Sequence, residues 1–322
     1  NNFNHIFNSN TNLNRTTTDW SARARLLKSF GSDSTNNSII KNAYYTLQVD
    51  FSQYTGKTED SRYGDDFFKY GHVGEFDVIT AESYNYGTDS VTGYSGFLYN
   101  GQTPLGIDFR QGTNNSVRGN YTQNYFELME DYNGLRVRTI EELIGNNIPV
   151  NGTGPKSVYG LWGSPGGVQG NYSKFKQEQF RVTGMSSFEI KGHALVAGFE
   201  FEQKTNRFYN LNATGLWTQM RLLQNIPNRE LDLQNPIVVR DANGVYQDTI
   251  NYNFAYSPTN ASAFAENIRI ANGLDRYNTD QINIMNMDPS LFKLDFFSAD
   301  ELINPGGTNY VNYYGYDYTG AI

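Results

Sequence analysis

QEQFRVTGMSSFEIKGHALVAGFEFEQKTNRFY (residues 177–209) is the stretch that decides the fold. It reads as two β-strands joined by a very tight turn. In the first arm, Phe180, Val182, Gly184, Ser186, Phe188 and Ile190 share one face, while Arg181, Thr183, Met185, Ser187 and Glu189 share the other. In the second, Leu195, Ala197, Phe199 and Phe201 stand opposite Ala194, Val196, Gly198, Glu200 and Glu202. A period of two is what a sheet between two different surroundings requires. Lys191-Gly192 is the turn, with Gly supplying the positive φ of a tight hairpin. Each arm is at least as long as the roughly 9–11 tilted residues that cross a bilayer as a strand. The expected fold class is all-β, a partial antiparallel transmembrane β-barrel with long extracellular loops carrying short helices and hairpins.

Outward from this hairpin, the long strands expected are 19–30, 41–55, 177–190 and 193–209. In 41–55, Ala43, Tyr45, Leu47, Val49 and Phe51 form an apolar face, and Asn42, Thr46, Gln48, Asp50 and Ser52 a polar one. Tyr44 and Tyr54 lie near its ends, where a barrel carries its aromatic girdle. For any one strand, a sandwich with one wet face reads equally well. Two excursions, 56–176 and 210–322, are far longer than ordinary loops and must be functional or contain elements of their own. In the first, a strand is expected over 70–86, hairpin turns at Asn100-Gly101 and Asn133-Gly134, and a short helix after the Thr139 to Glu142 capping box. Residues 151–170 read as an irregular Gly/Pro-rich loop pinned by Tyr159 and Trp162. In the second, helices are expected over 215–225 and 263–271, a hairpin at Asn243-Gly244, and a capping box from Ser298 to Glu301. Short turns on one side and long excursions on the other fit an outer-membrane barrel, with the excursions outside as a cap over its mouth.

Composition narrows the function classes. With 24 Tyr, 21 Phe, 31 Gly and only 18% charged residues, the 322-residue chain favours strands and turns over helices, and its aromatic content is too high for disorder. A net charge of −8 and a pI of about 5.0 disfavour nucleic acid as a partner. There is no Cys, hence no disulfide framework, Cys-based zinc site or thiol nucleophile. No apolar run of about 18 residues marks a transmembrane helix. A mean hydropathy of −0.60 still suits a barrel, because its strands alternate and its outer loops are polar. The opening NNFNHIFNSN lacks the basic start and apolar core of a signal peptide, and the chain reads as an internal fragment of a longer protein.

The run QFRVTGMSSFEIKGHALVAGFEFEQKTNRFYN with the following GLWTQMRLLQN resembles the barrel of TonB-dependent outer-membrane receptors, closest to the large Bacteroidetes type related to the Oar proteins. FFKYGHVGEFD (67–77), SVYGLWGSPG (157–166) and NYYGYDYTG (312–320) are similar in style. These are soft motifs spread over most of the chain. The resemblance implies a barrel of about 22 strands around an N-terminal plug, in the outer membrane of a Gram-negative bacterium. It further implies uptake of a scarce small nutrient, energised by the TonB complex acting through the plug, with outer-membrane lipid as the surroundings. The plug, TonB box and remaining strands lie outside this sequence, and a surface lipoprotein closing over the barrel is left open. The alternative reading is a secreted or surface-attached all-β adhesin or glycan-binding protein without transport activity.

No catalytic set, metal site or cofactor site assembles in the sequence. Glu200 and Glu202 lie about 7 Å apart along one strand face, where neighbours commonly line a wet surface rather than hydrolyse a glycoside. Glu59, Asp60, Asp65 and Asp66 form an acidic patch without EF-hand spacing, and His5, His72 and His193 are scattered. The reading is therefore not an enzyme. Arg181, Glu189, Glu200 and Glu202 are expected to face a lumen. Tyr159, Trp162, Tyr209 and Trp217 are the candidate ligand-facing residues, since Tyr and Trp offer large rigid contact area at low entropy cost. The competing role for these aromatics is the small cores of the loops themselves.

Overall fold

A computed structural model describes residues 12–30, 39–133, 137–154, 166–303, 307 and 309–322. In chain order the elements are β1 (Asn14–Phe30), β2 (Ile40–Glu59), β3 (Gly74–Thr88), β4 (Ser95–Gln111), α1 (Ser116–Asn133), α2 (Ile140–Gly145), β5 (Asn171–Ile190), β6 (His193–Asn212), α3 (Ala213–Leu223), β7 (Ile237–Arg240), β8 (Tyr246–Asn251), α4 (Ala263–Ala271), α5 (Ala299–Leu302) and β9 (Val311–Tyr314). The chain is mostly β, with antiparallel sheets, and divides into two compact units.

One unit holds residues 14–58, 172–210 and 312–322. Its five strands run β1-β2-β5-β6-β9, an open sheet among the described residues. β1 has 17 residues and β2, β5 and β6 have 20 each, so every expected long strand lies inside a longer observed one. The turn between β5 and β6 places both Lys191 (φ 49°) and Gly192 (φ 80°) in the left-handed region. That is the type I′ geometry, whose twist matches the flanking strands. β2 and β5 keep strict register from Tyr44↔Ser187 to Thr58↔Ser173. Below that run the register slips by one residue between Lys41 and Tyr44, where Asn42 stands at φ 49° and donates from Nδ2 to Glu189 Oε2 at 3.0 Å. The expected second excursion ends early, because β9 returns the chain to this sheet.

The other unit gathers 59–171 and 211–311, the bulk of both excursions, around a core of its own. Its sheet runs β3-β4-β8-β7, with β4 and β8 parallel. Leu216, Trp217 and Met220 of α3 are buried with Leu143 of α2, Phe264 and Ile268 of α4, and Phe76 of β3. The helix starts follow side-chain chemistry. Ser262 accepts from Ala265 N, and Ser298 and Glu301 form a reciprocal capping box. Thr139 accepts from Glu142 N, but the Glu142 carboxylate takes the N–H of Arg138 rather than that of Thr139, so the expected box is only half formed. Buried Arg269 binds the unit together. Its guanidinium donates to the carbonyls of Asn278, Gln224, Ala265 and Asp280 and to Asn225 Oδ1, at 2.8–3.1 Å.

Two expected turns are corrected. Asn100-Gly101 lies inside β4: Glu82 pairs with Gln102 and Tyr84 with Tyr99, so the dipeptide forms a β-bulge opposite Ser83, and Gly101 takes φ 97°. A turn and a bulge make the same demand for a left-handed residue, and the local sequence does not separate them. Asn133 closes helix α1 instead of opening a hairpin, and Gly134 lies outside the described residues. Helix α1 escapes the sequence pattern because several of its apolar side chains are outside: Val117, Tyr121 and Leu128 are exposed. It is held by Phe126, whose ring stacks on Phe109 of β4 at 5.7 Å, and by buried Thr122, whose hydroxyl donates to Pro149 O at 2.8 Å.

Candidate functional site

The two faces of the long-stranded sheet differ in chemistry, although Val196 and Met185 stand exposed on the side of the charges. The odd residues of β2 from Tyr45 to Phe51 pair with Ser186, Gly184, Val182 and Phe180. On β6, Phe199 joins this face, because a Cβ built on Gly184 would come within 2.2 Å of the Phe199 ring. On β1, Trp20 joins it, with its ring 5.1 Å from that of Phe51. Nothing in the described structure covers this apolar face: Phe199 is 60% exposed, Phe201 55% and Trp20 47%, and Leu26, Phe30, Leu47 and Leu195 are exposed too.

The apolar band has a defined end. One step past Phe51 and Phe180, the same face carries Gln53 paired with Glu178. The Trp20 indole N–H donates to Gln53 Oε1 at 3.0 Å, and Gln53 Nε2 donates to Glu178 Oε1 at 2.9 Å. Glu178 pairs with Lys176 at 2.8 Å and lies 3.6 Å from Arg207. The Trp20 ring thus lies on the band while its N–H reaches the polar row, so one side chain meets both an apolar and a polar surrounding. On β1 the apolar row from Trp20 to Leu26 advances about 20 Å at roughly 3.3 Å per residue before Lys28 falls on the same face, its Nζ 5.9 Å from the Phe30 ring. Tilted by roughly 40°, that row spans about 15 Å of height. Beyond the polar row the strands continue with cations on aromatics: Lys57 over Tyr172 at 5.4 Å, and Lys174 over Tyr316 at 4.9 Å.

The opposite face is charged. Asp50 is held by Arg23 at 2.6 Å, by Gln48 at 2.8 Å, and lies 3.5 Å from Arg181, its cross-strand partner. Glu202 pairs with Lys204 at 2.7 Å on β6. Strand alternation and the β2–β5 register bring Arg181 and Glu189 to this face, and the same alternation places Glu200 and Glu202 together on it. Glu189 lies at the bulged end, against Asn42 and opposite Lys41. Alternation places Asp50 on the polar side, but neither it nor Arg23 nor Lys204 is among the expected lumen residues; charged residues falling in phase on neighbouring strands are the available signal.

The aromatic candidates fall elsewhere. Trp217 is fully buried, its N–H donating to Phe68 O at 3.1 Å and its ring 5.6 Å from those of His72 and Phe292. Tyr209 is 1% exposed, its hydroxyl donating to Tyr318 O at 3.1 Å. Both side chains are enclosed by protein and their polar atoms are already used, which is the core role the sequence left beside the ligand-facing one. Tyr159 and Trp162 lie outside the described residues. In the acidic patch, Asp60 is buried against Arg62 at 2.7 Å, and Asp66 pairs with Lys69 at 2.7 Å. No protein-family profile matches this sequence, and no curated protein matches it.

Proposed function

We propose that the long-stranded sheet is part of the wall of an outer-membrane β-barrel belonging to a TonB-dependent receptor of the Bacteroidetes Oar-like type. The observation that carries the reading is the pairing of two opposite faces on one sheet: an uncovered apolar band ending at a Trp and a polar row, backed by a charged face. In water such a band would need a second sheet against it. In lipid it needs none, while the charged face lines an aqueous lumen. The TonB-energised uptake step, the plug and the nutrient come from the family resemblance alone. The excursion unit is then the ligand-capturing surface.

Single Cys residues at 197, 199 and 201, and at 198, 200 and 202, test the wall in native outer membranes, against a background free of Cys. The odd set should react with a lipid-soluble probe and resist a water-soluble maleimide, and the even set should do the reverse. A chain that washes off membranes, or odd positions that label freely from water, would favour a secreted or surface-attached adhesin.

A further inference from the structure

The Asn100-Gly101 bulge has a local consequence. In an unbroken strand, Tyr99 and Gln102, three residues apart, would point to opposite sides. The extra residue brings both to the side that carries their partners Tyr84 and Glu82. Tyr99, Gln102 and Glu82 accordingly line one depression of about 460 Å3, together with Asn251, Asn253 and Gln281. Past Tyr99 and Tyr252 it continues into a second depression of about 590 Å3, walled by Leu98, Leu231 and Leu233. Both belong to the excursion unit.

The lining chemistry is selective. Neither depression has a Lys, Arg or His on its wall, so neither is complementary to an anion. Four carboxylates lie on the walls, Glu82 and Asp280 on the first and Asp89 and Glu230 on the second. Asp89 is saturated, since Tyr252 donates to its Oδ1 at 2.7 Å while Oδ2 takes the N–H groups of Val91 and Thr92 and the Thr92 hydroxyl; Glu82 accepts from Tyr84 and Asp280 from Asn278, so calcium is the direct competitor to test. The Tyr84 hydroxyl is fixed between Glu82 Oε2 at 2.6 Å and Asn251 Oδ1 at 3.0 Å, and the Tyr84 ring meets Tyr99 edge-on at 5.7 Å. Four side-chain amides stand along the wall: Gln281 Nε2 is committed to Asn228 O at 2.7 Å, Asn251 Oδ1 meets the Tyr84 hydroxyl and Gln102 Oε1 takes the Thr80 hydroxyl at 3.2 Å, which leaves the Gln102 and Asn251 amino groups as donors and the Gln281 oxygen as an acceptor for hydroxyl groups that donate and accept at once. An extended peptide would want a free strand edge; β4 pairs with β3 along this stretch and with β8 just before it, at Phe97 and Leu98.

We propose that this groove binds a neutral oligosaccharide, with sugar C–H faces against Tyr99 and the leucines, and sugar hydroxyls on Glu82, Gln102, Asn251, Asn253 and Gln281. The assignment names a ligand class for the capture surface proposed above and rests on that reading for its purpose.

Isothermal titration of the full chain in detergent, against neutral hexasaccharides of glucose, mannose, galactose and xylose, tests it, with Ser/Asn/Gly hexapeptides and calcium chloride as the competing arms. At least one sugar series should bind, and Tyr99→Ala and Gln102→Ala should each weaken it by about tenfold or more. Gly101→Ala, strained at φ 97°, should weaken it as well. Unchanged Trp217 fluorescence in each variant reports that the core is intact. Absence of binding by every sugar at millimolar concentration overturns the proposal. So does sugar binding that survives Tyr99→Ala and Gln102→Ala, or heat from the peptide or calcium arm alone. Cysteine labelling reads the membrane assignment separately: sugar binding through Tyr99 in a chain that fails the labelling upholds the groove and sinks the transporter, and the converse result does the opposite.

Discussion

The indole N–H of Trp20 donates to Gln53 Oε1 at 3.0 Å while its ring rests 5.1 Å from that of Phe51. One side chain thus joins the last apolar row of the sheet to the first polar row. With the sheet in a bilayer, Trp20 lies at the upper rim of the hydrocarbon. Lipids brominated near the head of the acyl chain should quench its fluorescence more than lipids brominated near the chain end, and Trp20→Phe should remove that component. Equal quenching by both lipids, or none, contradicts the placement.

Lys191 occupies the first left-handed position of the type I′ turn, where a side chain with a Cβ costs about 1–2 kcal/mol relative to Gly. Lys191→Asn or Lys191→Gly is expected to stabilise the hairpin by roughly 0.5–1 kcal/mol. Nothing lies within 4 Å of a Cβ at Gly192, so the cost of Gly192→Val comes from its φ alone and should appear as destabilisation. Urea midpoints of protein folded in detergent measure both changes.

Gly184 leaves the space that the Phe199 ring fills. Gly184→Ala drives a methyl group into that ring and should cost about 1–3 kcal/mol. Phe199→Ala removes the obstacle, so the double variant should be much less destabilised than the sum of the two singles. Additive costs in the double-mutant cycle contradict the packing.

His72 is buried beside Trp217, with Asn114 Nδ2 3.0 Å from Nδ1 and Asp288 as the nearby charge. Burial lowers its pKa from 6.5 to about 4, opposed by Asp288. The unfolded ring therefore binds a proton in a range where the folded ring does not. Stability from this group is full above about pH 6.5 and falls as the pH drops toward 4, by up to about 1.4 kcal/mol per pH unit. His72→Phe should flatten this part of the stability profile. A variant with the same slope as the parent would assign the acid sensitivity to carboxylates instead.

Arg269 directs its guanidinium at five oxygen acceptors, four of them main-chain carbonyls. Lysine keeps the charge but has three donors on a compact head, so Arg269→Lys leaves acceptors buried without partners. The expected loss is about 3 kcal/mol or more in chemical denaturation followed at the Trp217 core. Retention of parental stability would mean that water replaces the lost donors.

The long strands, the central turn and the starts of α2, α4 and α5 were legible because each is a local matter. Alternation assigns Phe199 and Glu200 to opposite faces whatever lies beside them, and Ser262 and Ser298 cap their helices through groups three residues away. Tertiary structure decided what depends on distant partners. Asn100-Gly101 becomes a bulge because β3 pairs through it, which turns Tyr99 and Gln102 to one side. By sequence Trp217 suits either a ligand platform or a loop core; Phe68, His72 and Phe292, from far along the chain, close around it and place it in a core. Helix α1 shows little apolar periodicity, and one of its anchors, Thr122 on Pro149, is a polar contact 27 residues away. The end of the apolar band, at Trp20, Gln53, Glu178 and Arg207, needs four strands in register to exist at all. Sequence by itself determined which side chains share a face; only the pairing of strands and the closing of the core decided what each face meets.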